Sequence, residues 1–104
     1  MGVKPPEGFT RIIERKRYSV KTATLIAHDA YWDGHNFERH GRNTFLYRTH
    51  RGAFFTVTRT QWQGEGDSLE PVDQDEAIRL FEGPLSEHEV TYSIAFPDVT
   101  VEDA

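Results

Sequence analysis

No cysteine occurs among the 104 residues. That removes a disulfide framework, a thiolate zinc site and a cysteine nucleophile together, and it suits a reducing cytosol. Long apolar runs are missing too. Nothing approaches the roughly eighteen residues of a membrane span, and the opening Met-Gly-Val-Lys-Pro-Pro-Glu-Gly has no apolar stretch behind its lysine, so neither membrane insertion nor secretion is expected. A myristoylation motif fails because Pro6 stands where Ser or Thr is needed. There is no Gly-rich phosphate loop, nucleophile elbow or His-Glu zinc motif. These absences favour a cytoplasmic binding module without a cofactor over an enzyme.

Positive charge is scarce, but only in one half. Eleven of the twelve Lys and Arg residues precede Gln61, with five of the seventeen Asp and Glu residues, a net of +6; the remainder of the chain nets −11. An asymmetry of this size points to a charged partner or an acidic interaction surface, or to two halves that face each other in one fold. The length leaves room for one domain. Although only 37% of residues are hydrophobic, 12% are aromatic, and large rings can fill a compact core with few positions.

The Pro- and Gly-rich residues 1-8 should form a mobile leader before a domain spanning 9-104. Phe9 to Glu14 and Lys16 to Val20 look like two short strands around a tight turn. Ser19 is placed to cap a helical turn through Lys21, Thr22 and Ala23, before a buried segment containing Leu25, Ile26 and Ala27. Asp29 to Asn43 reads as a long loop crowded with Tyr31, Trp32, Asp33, His35, Glu38, Arg39 and His40; loops of that length are often functional. Thr44 to Thr49 and Ala53 to Thr60, joined at His50-Arg51-Gly52, form a second hairpin. Gln61 to Glu70 is expected to be a polar loop carrying Trp62. A helix should begin near Val72 or Asp73, with Ala77, Ile78, Leu80 and Phe81 as its apolar stripe, and end at Gly83-Pro84. Residues 86-96 carry two conflicting signals, alternation through Val90, Tyr92, Ile94 and Phe96 for a strand, and Ser86 with Glu89 as a capping box for a helix.

The segment Lys16-Arg-Tyr-Ser-Val-Lys-Thr-Ala-Thr-Leu-Ile-Ala resembles a family of small bacterial proteins from plasmids, phages and integrated elements, which carry a Lys-Arg-Tyr-Asp-Thr-x-Thr-Ala-x-Leu-Ile-like stretch. Leu46-Tyr-Arg-Thr with Gly52, Pro71 to Ala77 and the closing Val101-Glu-Asp-Ala extend the likeness over most of residues 10-104. Ser19 and Val20 depart from the family's Asp-Thr, and its usual glycine-rich segment after Thr58 is missing. The resemblance implies an α+β fold and residence on mobile DNA, whose small proteins are often inhibitors of host defence, anti-CRISPR proteins among them.

Three chemistries compete for the polar residues. The acidic half, with Glu70, Asp73, Asp75 and Glu76 foremost, suits a surface that mimics nucleic acid against a basic channel. Lys16 and Arg17 on the first hairpin, with Arg48, Arg51 and Arg59 on the second, suit RNA or single-stranded DNA, and Tyr18, Tyr47, Tyr31 and Trp32 are candidates for stacking on bases. His28 or His40, with His50 and Arg48, is a conceivable metal-independent nuclease set. His35, His40 and the nearby acids offer only a loose version of a metal site.

The expectation is therefore an α+β domain, a twisted antiparallel sheet of four or five strands with one or two helices packed on it. The leading function is a non-enzymatic, anti-CRISPR-like inhibitor acting on a protein or protein–RNA complex of a defence system. Direct binding of RNA or single strands is the alternative, and histidine-dependent nuclease activity the third.

Overall fold

A computed structural model describes residues 8–29, 42–60 and 67–104. Most of the expected leader and of the Asp29 to Asn43 loop, with Tyr31, Trp32, His35 and His40, lies outside the described residues, as does the part of the second loop that holds Trp62. The elements are β1 (Thr10–Ile13), β2 (Lys16–Ser19), a 3-10 turn (Val20–Thr22), β3 (Thr24–His28), β4 (Arg42–Arg48), β5 (Phe54–Thr60), β6 (Ser68–Val72), α1 (Gln74–Glu82), β7 (Glu87–His88) and α2 (Tyr92–Ala95). β1 and β2 form a separate antiparallel pair, and the remaining strands make one antiparallel sheet in the order β6-β5-β4-β3-β7. The expected α+β architecture is the one observed.

Period-two alternation sends successive side chains of a strand to opposite faces, and both faces of this sheet are covered. Phe45 and Tyr47 of β4, Phe55 and Val57 of β5 and Leu69 of β6 share one cluster with Tyr18 from the β1-β2 hairpin. Leu46 and Phe54 belong to the other cluster, with Ala77 and Phe81 of α1, Leu85, and Ala95 and Phe96. The consecutive Ile26 and Ala27 both join the helix-side cluster. A register irregularity in β3 between Leu25 and Ala27 allows this, since a bulge breaks strict alternation.

The polar stretch before α1 was expected to be loop as far as Glu70, yet Ser68–Val72 is a strand. Pro71 hides it in the sequence, because proline cannot donate to a ladder and is confined to edges; β6 is the edge strand. The edge is further occupied by Arg11, whose Nη1 donates to the Leu69 carbonyl at 2.8 Å and ties the hairpin to the sheet.

Asp73 caps α1 by accepting the Glu76 N–H at 2.8 Å, and the acids Asp75 and Glu76 occupy its first turn, where the helix dipole favours them. At its end a Cβ on Gly83 would stand 3.1 Å from the Arg79 carbonyl, so the chain turns away most easily through glycine. The ambiguous segment 86-96 is neither one strand nor one helix. Glu87–His88 pairs with the end of β3, and α2 is a single turn begun at Thr91 and not at Ser86. The alternation misleads because the chain must cross from sheet edge to helical face: Phe96 is fully buried while Ile94 is 59% exposed. The Tyr92 hydroxyl donates to Glu82 Oε2 at 2.8 Å, which fastens α2 to α1.

Burial pushes the Tyr47 phenol up to about 12, an effect that the positive charge of Arg59 partly opposes. The unfolded phenol titrates near 10, so the stability from keeping Tyr47 neutral is complete below about pH 10 and is lost as pH rises through about 12. Unfolding free energy measured across that window should therefore decline, and Tyr47→Phe should remove part of the decline. Equal slopes for the two proteins would contradict this burial of the phenol.

Candidate nucleic-acid interface

The turn between β1 and β2 contains only Glu14 and Arg15, at φ 52° and 67°. Positive φ at both positions is the type I′ form of a two-residue hairpin, whose twist matches its strands and which Asn-Gly normally supplies. Here two ordinary side chains do so, at a cost on the order of 1–2 kcal/mol each. The turn after β4 is less strained. Gly52 takes φ 86°, the Ala53 N–H donates to Thr49 Oγ1 at 3.0 Å, and the Thr49 N–H donates to the Ala53 carbonyl at 2.8 Å.

These two turns border one cleft of about 630 Å³. Arg15, Lys16 and Arg17 line it from the first hairpin, His50, Arg51 and Ala53 from the second, with Tyr18, Thr22 and Thr49 completing the wall. None of the described lining residues is acidic. Arg15, Lys16, Arg17 and Arg51 are exposed, and among the described residues none of them enters an ion pair or a side-chain hydrogen bond. Four cations thus share a recess without a carboxylate to neutralise them, an arrangement that attracts phosphate. His50 Nδ1 lies 3.2 Å from the Thr22 carbonyl. Because a carbonyl only accepts, Nδ1 carries the hydrogen, and Nε2 is the nitrogen left over.

Lys16, Arg17 and Arg51 of the sequence-predicted basic set therefore converge, and Arg15 and His50 join them. Arg48 and Arg59 do not line the cleft. The Arg48 guanidinium lies against Gly52, with its Nε buried and unpartnered, and Arg59 is paired with Asp67 at 3.1 Å near the other end of β5. Tyr18 and Tyr47 are only 8% and 3% exposed, so their rings fill the core and are closed to stacking on bases.

The acidic set is divided by its local duties. Asp73 is spent on the α1 cap and Glu76 pairs with Arg79, whereas Glu70 and Asp75 are exposed without such partners. Among the described residues the histidines do not assemble into an acid–base pair, and His40 lies outside them. His50 is anchored beside the start of β3 and His28 ends that strand, bonded to Glu89 at 3.1 Å and stacked on Phe45. His88 donates to the Phe81 carbonyl at 2.7 Å while stacking on its ring. Among the described residues no three potential ligands are grouped to hold a metal, and no helix is long and apolar enough to cross a membrane.

Sequence reasoning noted both basic hairpins but had no signal for their adjacency, since neither turn names the other. The side chains that join them, Tyr18 in the core and Thr22 through its carbonyl, look ordinary in the sequence. No protein-family model matches the chain, and no significant match is found to a curated protein or a solved structure.

The strain at the first turn is measurable. Exchanging Glu14→Asn together with Arg15→Gly should raise the unfolding free energy by about 1 kcal/mol, with an unchanged denaturant slope. A loss of stability would mean that the backbone here is not held against its preference.

Proposed function

We propose that this protein is a non-enzymatic binding module that holds single-stranded nucleic acid by its phosphates in the cleft between the two hairpin turns. The observation that carries this reading is the convergence of Arg15, Lys16, Arg17 and Arg51 on one recess whose described lining holds no acid. With a net charge of −5, the chain as a whole repels phosphate, so attraction requires a local concentration of cations such as this one. Among the described residues no exposed Tyr, Trp or Phe ring lines the cleft, which favours sequence-tolerant binding through the backbone over recognition of bases. The segment resembling mobile-element proteins supplies β2, β3 and one wall of the cleft, and an RNA-bearing defence complex is the setting this reading favours.

Titration of short labelled single strands by fluorescence anisotropy tests it. With up to four phosphates neutralised, the logarithm of affinity should fall against the logarithm of salt with a slope of about −3. Lys16→Ala with Arg51→Ala should roughly halve that slope, while Arg79→Ala, on the exposed face of α1, leaves it unchanged. Absence of binding at low salt would end this reading.

A second reading rests on Glu70 and Asp75, exposed and without local partners around the junction of β6 and α1. In it the protein inhibits a defence complex by presenting these carboxylates to a basic channel. Reversing both to Lys should then abolish capture of such a complex, with Tm lowered no further than by Asp75→Lys alone, which places a cation in the first turn of α1. Reversal of Asp73 or Glu76 is uninformative, because each supports α1.

A further inference from the structure

We infer that the cleft takes a nucleotide ending in a phosphomonoester, so that a strand is held by its phosphorylated end and not along its length; this rests on the nucleic-acid reading above. Three features point to an end. The first is size. At about 630 Å³ the recess falls within the roughly 300–1,000 Å³ of sites that enclose one small ligand. Grooves that track a running strand span several nucleotides, about 4–16 in a single-strand-binding barrel, and are paved with aromatic rings, whereas among the described lining residues Tyr18 is buried and the His50 imidazole is the single exposed ring.

The second is charge density. An internal phosphodiester brings one negative charge past the four cations. A terminal phosphate carries about −1.5 to −2 at neutral pH and offers three strong acceptor oxygens at one point. Three of the four cations are arginines, whose forked donors meet a phosphate in two parallel hydrogen bonds.

The third is a neutral donor at the same place. Thr49 Oγ1 already accepts the Ala53 N–H, so its own hydrogen remains to be donated. His50 is fixed beside it through Nδ1, which donates to the Thr22 carbonyl at 3.2 Å. Both residues line the recess beside Arg51. A clustered array of this kind is matched to a compact dianion, and most of it would be idle against a passing diester.

Competition anisotropy on the whole protein at about 0.15 M salt decides the matter. The probes are one short single strand prepared with a 5′-phosphate, with a 3′-phosphate and with hydroxyls at both ends, together with the corresponding free nucleoside monophosphate. A phosphorylated end should tighten binding about tenfold or more, the scale of one or two charge-assisted hydrogen bonds. Arg51→Ala should shrink that advantage while Tm and binding of the hydroxyl-ended strand change less; Thr49→Val should shrink it as well, with a fall in Tm from the Ala53 N–H it leaves without its acceptor. If the monophosphate competes as well as the strand, the same chemistry is recognised and the free nucleotide is its source. Equal affinity for phosphorylated and hydroxyl-ended strands would overturn the inference and leave the nucleic-acid reading standing. Failure of every probe to bind would remove both.

Discussion

One aromatic contact sets the geometry on which the rest depends. Tyr18 of the first hairpin meets Phe55 edge-on at 5.7 Å, and Phe55 is stacked on Tyr47 at 5.1 Å. Edge-to-face and offset stacking are the arrangements that ring quadrupoles prefer. Through them the two-stranded hairpin is pressed onto the central strands, closing a face of the sheet that water would otherwise cover. The same contact fixes where β2 runs, and so brings Lys16 and Arg17 alongside the turn that carries His50 and Arg51. The opposite face is closed independently, by Phe81, Leu85 and Phe96 around Leu46 and Phe54.

The separation of charge along the chain takes on a more specific meaning in the fold. It is resolved only in part by pairing between the halves: Asp67 pairs with Arg59 and Glu89 with His28, but Arg15, Lys16, Arg17 and Arg51 find no carboxylate among the described residues. Other acids are consumed locally. Asp73 and Glu76 support α1. A count of charges from the sequence treats all of these alike. In three dimensions a carboxylate that caps a helix is already committed, and an unpaired guanidinium at a turn is not.

Much of the fold was legible because its signals are local. The second hairpin announces itself through β-branched and aromatic runs around Gly52, and α1 through the Asp73 cap and the spacing of Ala77, Ile78, Leu80 and Phe81. Where the reading missed, a tertiary requirement had overridden a local one. β6 forms despite Pro71 because an edge strand tolerates a missing donor. Residues 86-96 break into a two-residue strand and one helical turn because the chain must leave the sheet edge and deliver Ala95 and Phe96 into the core. The cleft was half legible: its side chains were singled out, but the adjacency that makes them a site depends on Tyr18, which in the sequence is only one more aromatic.

The outer margin of β6 has a consequence for how this molecule behaves in a crowd. Antiparallel accretion proceeds by an incoming extended chain zipping onto free amides and carbonyls in succession. Along these five residues Pro71 has no amide hydrogen, and the Leu69 oxygen is already taken by a guanidinium. At the other described border the strand is two residues long. A would-be fibre therefore stalls at its first rung, and a β-rich protein with so much exposed polar surface is guarded against polymerising on itself.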